Sequence, residues 1–194
     1  MNFEITNTQV FGLDKAIKAS GNPMRTEIDN GDLTEKDWKR AKVLGTTVNG
    51  EGHDNFLKGI LVQMDIVAPL FWWKEAQRYH WFDFVSSQST MHCLLKFDME
   101  KQFVDDVDRS IEPILAALVE AYHAAVGSDA QKKAWRRIVA TLPCGFCLGA
   151  SMTTNYQQLK TMYKQRKHHK LEEWHVFCNW CESLPFFKEI ALKE

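Results

Sequence analysis

The sequence is short of everything that would place it quickly. Net charge is −1 over 194 residues, so no global excess of either sign points to a polyanionic partner, and nucleic acid is not the expected ligand. No apolar run approaches the roughly 20 residues that a membrane helix needs. The opening stretch MNFEITNTQV has neither a basic segment nor an apolar one, and so lacks the look of a secretory leader. Cysteine is scarce and odd in number, five in all, which suits a reducing cytoplasm better than a disulfide scaffold. There is no internal repeat, low-complexity tract or linker. No Ser-His-acid arrangement is recognisable, and no carboxylates cluster with histidines at metal-ligand spacing.

What the chain does have is apolar and aromatic mass. Hydrophobic residues make up 45%, enough for a sizeable core in a chain whose length suits one domain over 1–194. Seven Trp and twelve Phe can fill that core or line pockets and subunit interfaces.

The patterning predicts a mixed α+β fold, helices around two strands. TQVFGLDKAIKAS reads as a short amphipathic helix bearing Phe11 and Ile17, ended by Gly21 and Pro23. Thr34 with Asp37 forms a capping pattern that opens a helix through Trp38 and Val43. GTTVNGEGHDN reads as a Gly-rich loop. KGILVQMDI alternates, with Ile60, Val62, Met64 and Ile66 on one face, as a half-buried strand does. Pro69 starts a helix through Trp72, Trp73, Ala76 and Gln77. A long helix is predicted from Met99 to Val126, kinked at Pro113, then a second one capped by Ser128 and stopped by Pro143. FCLGASMTT is the second strand, and NYQQLKTMYKQRK and LEEWHVFCNWCESL are the last helices.

Several groups could carry chemistry. Cys144 and Cys147, and Cys178 and Cys181, are two CxxC pairs. Such pairs can hold zinc, but the gap between them is longer than in zinc ribbons and the second pair lies within a helix, so buried free thiols are the leading reading. KQRKHHK, from Lys164 to Lys170, is either a solvated helix end or a phosphate site built on guanidinium donors. KEAQRYHWFDFVSSQSTMH gathers Arg78, Tyr79, His80, Ser87, Gln88 and Ser89, groups suited to a nucleotide's phosphate and base.

These segments together resemble the flavin-dependent thymidylate synthases, the ThyX family, over roughly residues 50–182. That family carries R-H-R and then a hydroxyl-rich N-E-x-S-x-R-Y loop. Here Arg78 falls on the first Arg, Tyr79 stands where the family has His, His80 stands where it has the second Arg, and Ser89 matches the loop Ser. GHDNF resembles E-H-x-x-F and puts His53 on its His. NYQQLKTMYKQR resembles N-x-R-S-L-x-x-F-L-x-L-R, so that Asn155, Leu159 and Arg166 match while Gln157 replaces an Arg. Trp174 matches in A-Q-W-E-I-R, and Leu142-Pro143 matches the family's L-P.

The resemblance implies a homotetramer with active sites between subunits. It implies FAD around His53, Arg78, Tyr79, His80 and Asn155, and a pyrimidine nucleotide such as dUMP or dCMP at Ser87, Gln88, Ser89, Gln157 and Arg166. Arg137 or Arg136 would add a phosphate contact. The implied reaction is one-carbon transfer from methylenetetrahydrofolate to the pyrimidine C5, with Arg166 the central residue and no protein nucleophile. The altered R-H-R segment leaves two other outcomes open. One is hydroxymethylation, which needs folate but no hydride. The other is a non-catalytic nucleotide-binding or interaction protein.

Overall fold

A computed structural model describes residues 3–193. The elements follow the order β1 (Glu4–Phe11), α1 (Leu13–Ala19), α2 (Glu35–Gly45), β2 (Leu61–Pro69), α3 (Leu70–Ala76), β3 (Asp83–Ser87), α4 (Thr90–Cys93), α5 (Ile111–Ala124), α6 (Ser128–Thr141), β4 (Cys147–Asn155), α7 (Tyr156–Arg166), α8 (Glu172–Ser183) and α9 (Phe187–Ala191). Short 3-10 turns fill several of the connections. The strands form one antiparallel sheet in the order β1-β2-β4-β3, and the α+β class expected from the patterning is the one observed. Backbone bonds from Tyr156 to Ile60 at one end and from Leu70 to Phe146 at the other fix the β2–β4 register.

The two strands read from alternation and apolar runs are β2 and β4. Ile60, Val62, Met64 and Ile66 are buried, whereas Leu61 on the opposite face is 48% exposed. Two more strands escape the pattern. TQVF belongs to β1 and not to the helix, which begins only at Leu13; Phe11 is exposed. Gly12 separates the two elements at φ 77°, where a Cβ would stand 2.5 Å from the Gly59 carbonyl oxygen. β3 has all five residues exposed, so it carries no buried-face alternation for a reader to find.

The expected long helix from Met99 is also corrected. Helix begins only at Ile111, and Pro113 sits in the first turn of α5, where its missing N–H costs no intrahelical bond. Gly127, at φ 90°, occupies the cap before α6 in place of Ser128. α2 opens as predicted: the Thr34 hydroxyl and the Asp37 carboxylate cap each other's backbone N–H.

The chain divides into two compact units. The first comprises residues 3–4, Ile66–Glu75 and Ser86–Ala150. Its core is Leu94, Phe103, Leu115, Leu118, Ile138 and Phe146, closed by the packing of α5 on α6. The second comprises residues 5–65, 76–85 and 151–193. There Ile17, Leu57, Tyr156, Leu159, Met162, Trp174, Phe177 and Phe187 are all buried, on helices α1, α7, α8 and α9 and on the turn Asn55–Gly59.

Candidate nucleotide and cofactor site

In the second unit, α7 organises the site. Asn155 ends β4 in extended conformation, and its side-chain oxygen accepts from the Gln158 N–H, so this residue is the helix cap. Tyr156, Leu159 and Met162 bury one stripe of the helix.

 Leu159 and its two neighbours on that stripe are wholly or almost wholly screened from water, and Lys160 lies beside them, equally buried. A cation there needs a partner, and Asp54 supplies it: Lys160 Nζ donates to Asp54 Oδ2 at 2.6 Å and to the Thr47 carbonyl at 2.7 Å. Gln157, which stands at a family Arg, donates its amide to Asp54 Oδ1 at 2.8 Å. Asn49 bonds Thr161 and accepts from Lys164. The Gly-rich segment GTTVNGEGHDN is thus a loop pinned along α7, with His53 exposed on it. Burial pulls the Lys164 ammonium below its usual pKa, and Lys160 nearby adds to the shift.

At the far end of α7, Arg166 meets Tyr79. Arg166 Nε donates to the Tyr79 hydroxyl at 2.7 Å, and that hydroxyl donates to Gln165 Oε1 at 3.0 Å. The guanidinium carbon lies 4.6 Å from the centre of the Trp174 ring and 5.5 Å from that of Tyr79. Trp174 is buried, with Phe177 against its edge at 5.4 Å and Phe82 against Phe177 at 5.9 Å. A cation held on a rigid aromatic face is a preorganised anion receptor, because its orientation entropy is already spent before a ligand arrives. Arg78 and His80 flank Tyr79 in the turn before β3, both exposed, with the His80 ring 5.8 Å from that of Trp81.

The remaining expected site residues lie in the first unit. Ser87 ends β3 and is exposed. Gln88 is committed to the sheet: its N–H donates to the Gly149 carbonyl, and its Oε1 accepts from the Gly149 N–H, each at 2.8 Å. Ser89 precedes α4 as its cap residue, without a side-chain capping bond. Arg136 and Arg137 are exposed on α6.

Tyr79 and Arg166 are therefore brought together, as are Asn155 and Gln157 at the start of α7. Gln165, Asp54 and Lys160 are the site-forming residues that sequence reasoning missed. Lys160 did leave a signal, a cation next to the apolar stripe of an otherwise amphipathic helix. Of the thiols, Cys147, Cys178 and Cys181 are buried, but Cys144 is exposed, against the expectation of burial throughout. Among the described residues no three His, Cys, Asp or Glu side chains gather as a metal site. Nor is any described helix long and apolar enough to cross a membrane.

Four antiparallel strands and this succession of helices make the fold of the flavin-dependent thymidylate synthases. The chain superposes on ThyX from Helicobacter pylori complexed with FAD and dUMP at a TM-score of 0.73 and 14% identity, covering 98% of each chain. A second structure of that protein with FAD and dUMP, at 2.31 Å, gives the same score and identity over 99% of this chain and 98% of the other. No family model and no curated protein matches the sequence. The likeness is one of fold.

Proposed function

We propose that the protein binds a pyrimidine deoxynucleotide monophosphate, dUMP or dCMP, and transfers a one-carbon unit from methylenetetrahydrofolate to its C5. The observation that carries this reading is Arg166, the residue retained from the substrate-binding motif, seated on Trp174 and bonded to Tyr79 within a ThyX fold. A guanidinium so held offers directed donors to phosphate or to a base carbonyl, and it suits the negative charge that a nucleotide brings.

The exposed donors Arg78, His80 and His53 have the charge and hydrogen-bonding chemistry that the diphosphate of FAD accepts, so the residues fit that group. Bound FAD would supply the hydride that turns a transferred methylene into a methyl group. Without it, addition of water to the methylene gives the hydroxymethyl nucleotide, and the C5 proton is lost in either case. Tyr79 holds Arg166 and does not act as a nucleophile. The working assembly is a cytoplasmic homotetramer, with the exposed Trp81, Phe84 and Val85 of the β3 region as interface residues.

The test is incubation of the purified protein with dUMP or dCMP and methylenetetrahydrofolate, with and without FAD and a reductant, followed by mass spectrometry of the nucleotide. A methylated or hydroxymethylated product supports the reading, and its mass tells the two apart. Nucleotide binding without conversion favours the non-catalytic alternative. Absence of both binding and conversion overturns the reading.

A further inference from the structure

We infer that Tyr79 and Gln165 form a specificity device that presents an amide N–H beside Arg166 and selects a base bearing a carbonyl over one bearing an amino group. The inference rests on the nucleotide-binding reading above. Its evidence lies in the direction of two hydrogen bonds. Arg166 Nε carries a hydrogen and no lone pair, so at 2.7 Å it can only donate to the Tyr79 oxygen. The second partner, 3.0 Å away, is Gln165 Oε1, which carries no hydrogen, so the phenol donates to it. The accepting atom is Oε1, which fixes the amide so that its NH₂ points away from Tyr79. Gln165 is exposed, and among the described residues no hydrogen bond engages that NH₂.

Next to Arg166, then, stands a side chain that could offer either a donor or an acceptor to a ligand and is held donor-outward by one phenol. Both residues stand where the ThyX motifs have others, His at the position of Tyr79 and Leu at that of Gln165. The two departures touch each other and the retained Arg.

An outward NH₂ complements uracil, whose O4 accepts. It opposes cytosine, whose N4 amino group donates. Two facing donors cannot bond each other, so cytosine forgoes a hydrogen bond that uracil makes. Tyr79 is in this sense a positioning residue, acting through Gln165, and Gln165 is the residue that reads the base.

Calorimetry with dUMP and dCMP on wild type, Tyr79→Phe and Gln165→Leu tests the inference, with thermal melts to establish that each variant is folded. The phosphate and sugar are common to both ligands, so the affinity ratio isolates the base. Wild type should favour dUMP by about tenfold or more. Tyr79→Phe frees the amide to turn either end outward, and Gln165→Leu removes it, so in both the ratio should fall towards one. A purely structural role for either residue would weaken both nucleotides alike and leave the ratio unchanged, which overturns the inference. So does a wild type that binds dUMP and dCMP equally well, and in that case the nucleotide-binding reading survives. If wild type binds neither, that reading and this inference fall together.

Discussion

Lys160 and Asp54 form an ion pair of 2.6 Å in which both side chains are withdrawn from water, to 0% and 1% exposure. The pair ties the loop that carries His53 to the helix that carries Arg166. Removing one partner leaves an uncompensated buried charge, which typically costs about 3–5 kcal/mol. Lys160→Met leaves the Asp54 carboxylate without its cation. Asp54→Asn leaves Lys160 charged and sets an NH₂ against one of the two donors that Asp54 accepts from. Both variants are therefore expected to lower the urea midpoint severely, and equilibrium unfolding of each against wild type measures the loss.

Arg166→Ala should abolish detectable dUMP or dCMP binding while the protein stays folded. Loss of a charged hydrogen-bond partner from a desolvated site costs about 2–5 kcal/mol, roughly 30-fold or more in affinity. Arg166→Lys keeps the charge but loses the planar donor fork and the stacking on Trp174, so it should recover only part of the binding. Calorimetry of the three proteins decides whether Arg166 is correctly assigned.

Asp37 accepts from Thr34, Lys18, Arg25 and Arg40. The hydroxyl of Thr34 foremost, and then the Arg40 guanidinium, hold its carboxyl far below the usual range. A carboxylate with a depressed folded pKa stabilises the protein above its unfolded pKa of about 4, and that contribution fades as pH falls through the acid range towards the folded value. Wild type should accordingly lose stability below about pH 4. Asp37→Asn should be less stable at neutral pH, with the gap to wild type narrowing on acidification. Urea unfolding across this range checks the sign.

Gly45 ends α2 against α9. A Cβ at this position would overlap the Ile190 carbonyl oxygen and crowd the Phe56 ring. Alanine improves a helix interior by about 1 kcal/mol over glycine. Here the clash is with backbone and cannot be relieved by a rotamer change, so Gly45→Ala should lower the melting temperature.

Burial pushes the Cys178 thiol up to about 11 and raises the Cys181 thiol well above its usual value, with Glu182 adding to both shifts and Cys178 to that of Cys181. Neither is a thiolate at neutral pH, and neither is accessible. In the native protein a thiol reagent should modify exposed Cys144 fast and half-buried Cys93 more slowly, and should reach Cys147, Cys178 and Cys181 only after denaturation. One zinc per chain found by elemental analysis would contradict this.

What the sequence determined by itself is what local chemistry determines. The alternation of Ile60, Val62, Met64 and Ile66 marks β2 because a sheet face must be buried at period two. Thr34 with Asp37 marks the start of α2 because the first backbone N–H groups of a helix need acceptors nearby in the chain. Asn155 and Arg166 mark the ends of α7, and their spacing within a motif pointed to the fold. The tertiary structure alone decided the rest. β3 and β1 have too little buried surface to imprint a pattern, and they are strands because neighbouring strands supply their hydrogen bonds. That Tyr79 should spend its hydroxyl on Arg166 and Gln165, or Lys160 its charge on Asp54, depends on partners more than 80 residues away in sequence. Only the folded chain brings such groups within hydrogen-bond distance, and a hydrogen bond leaves no periodicity in the sequence from which it could be read.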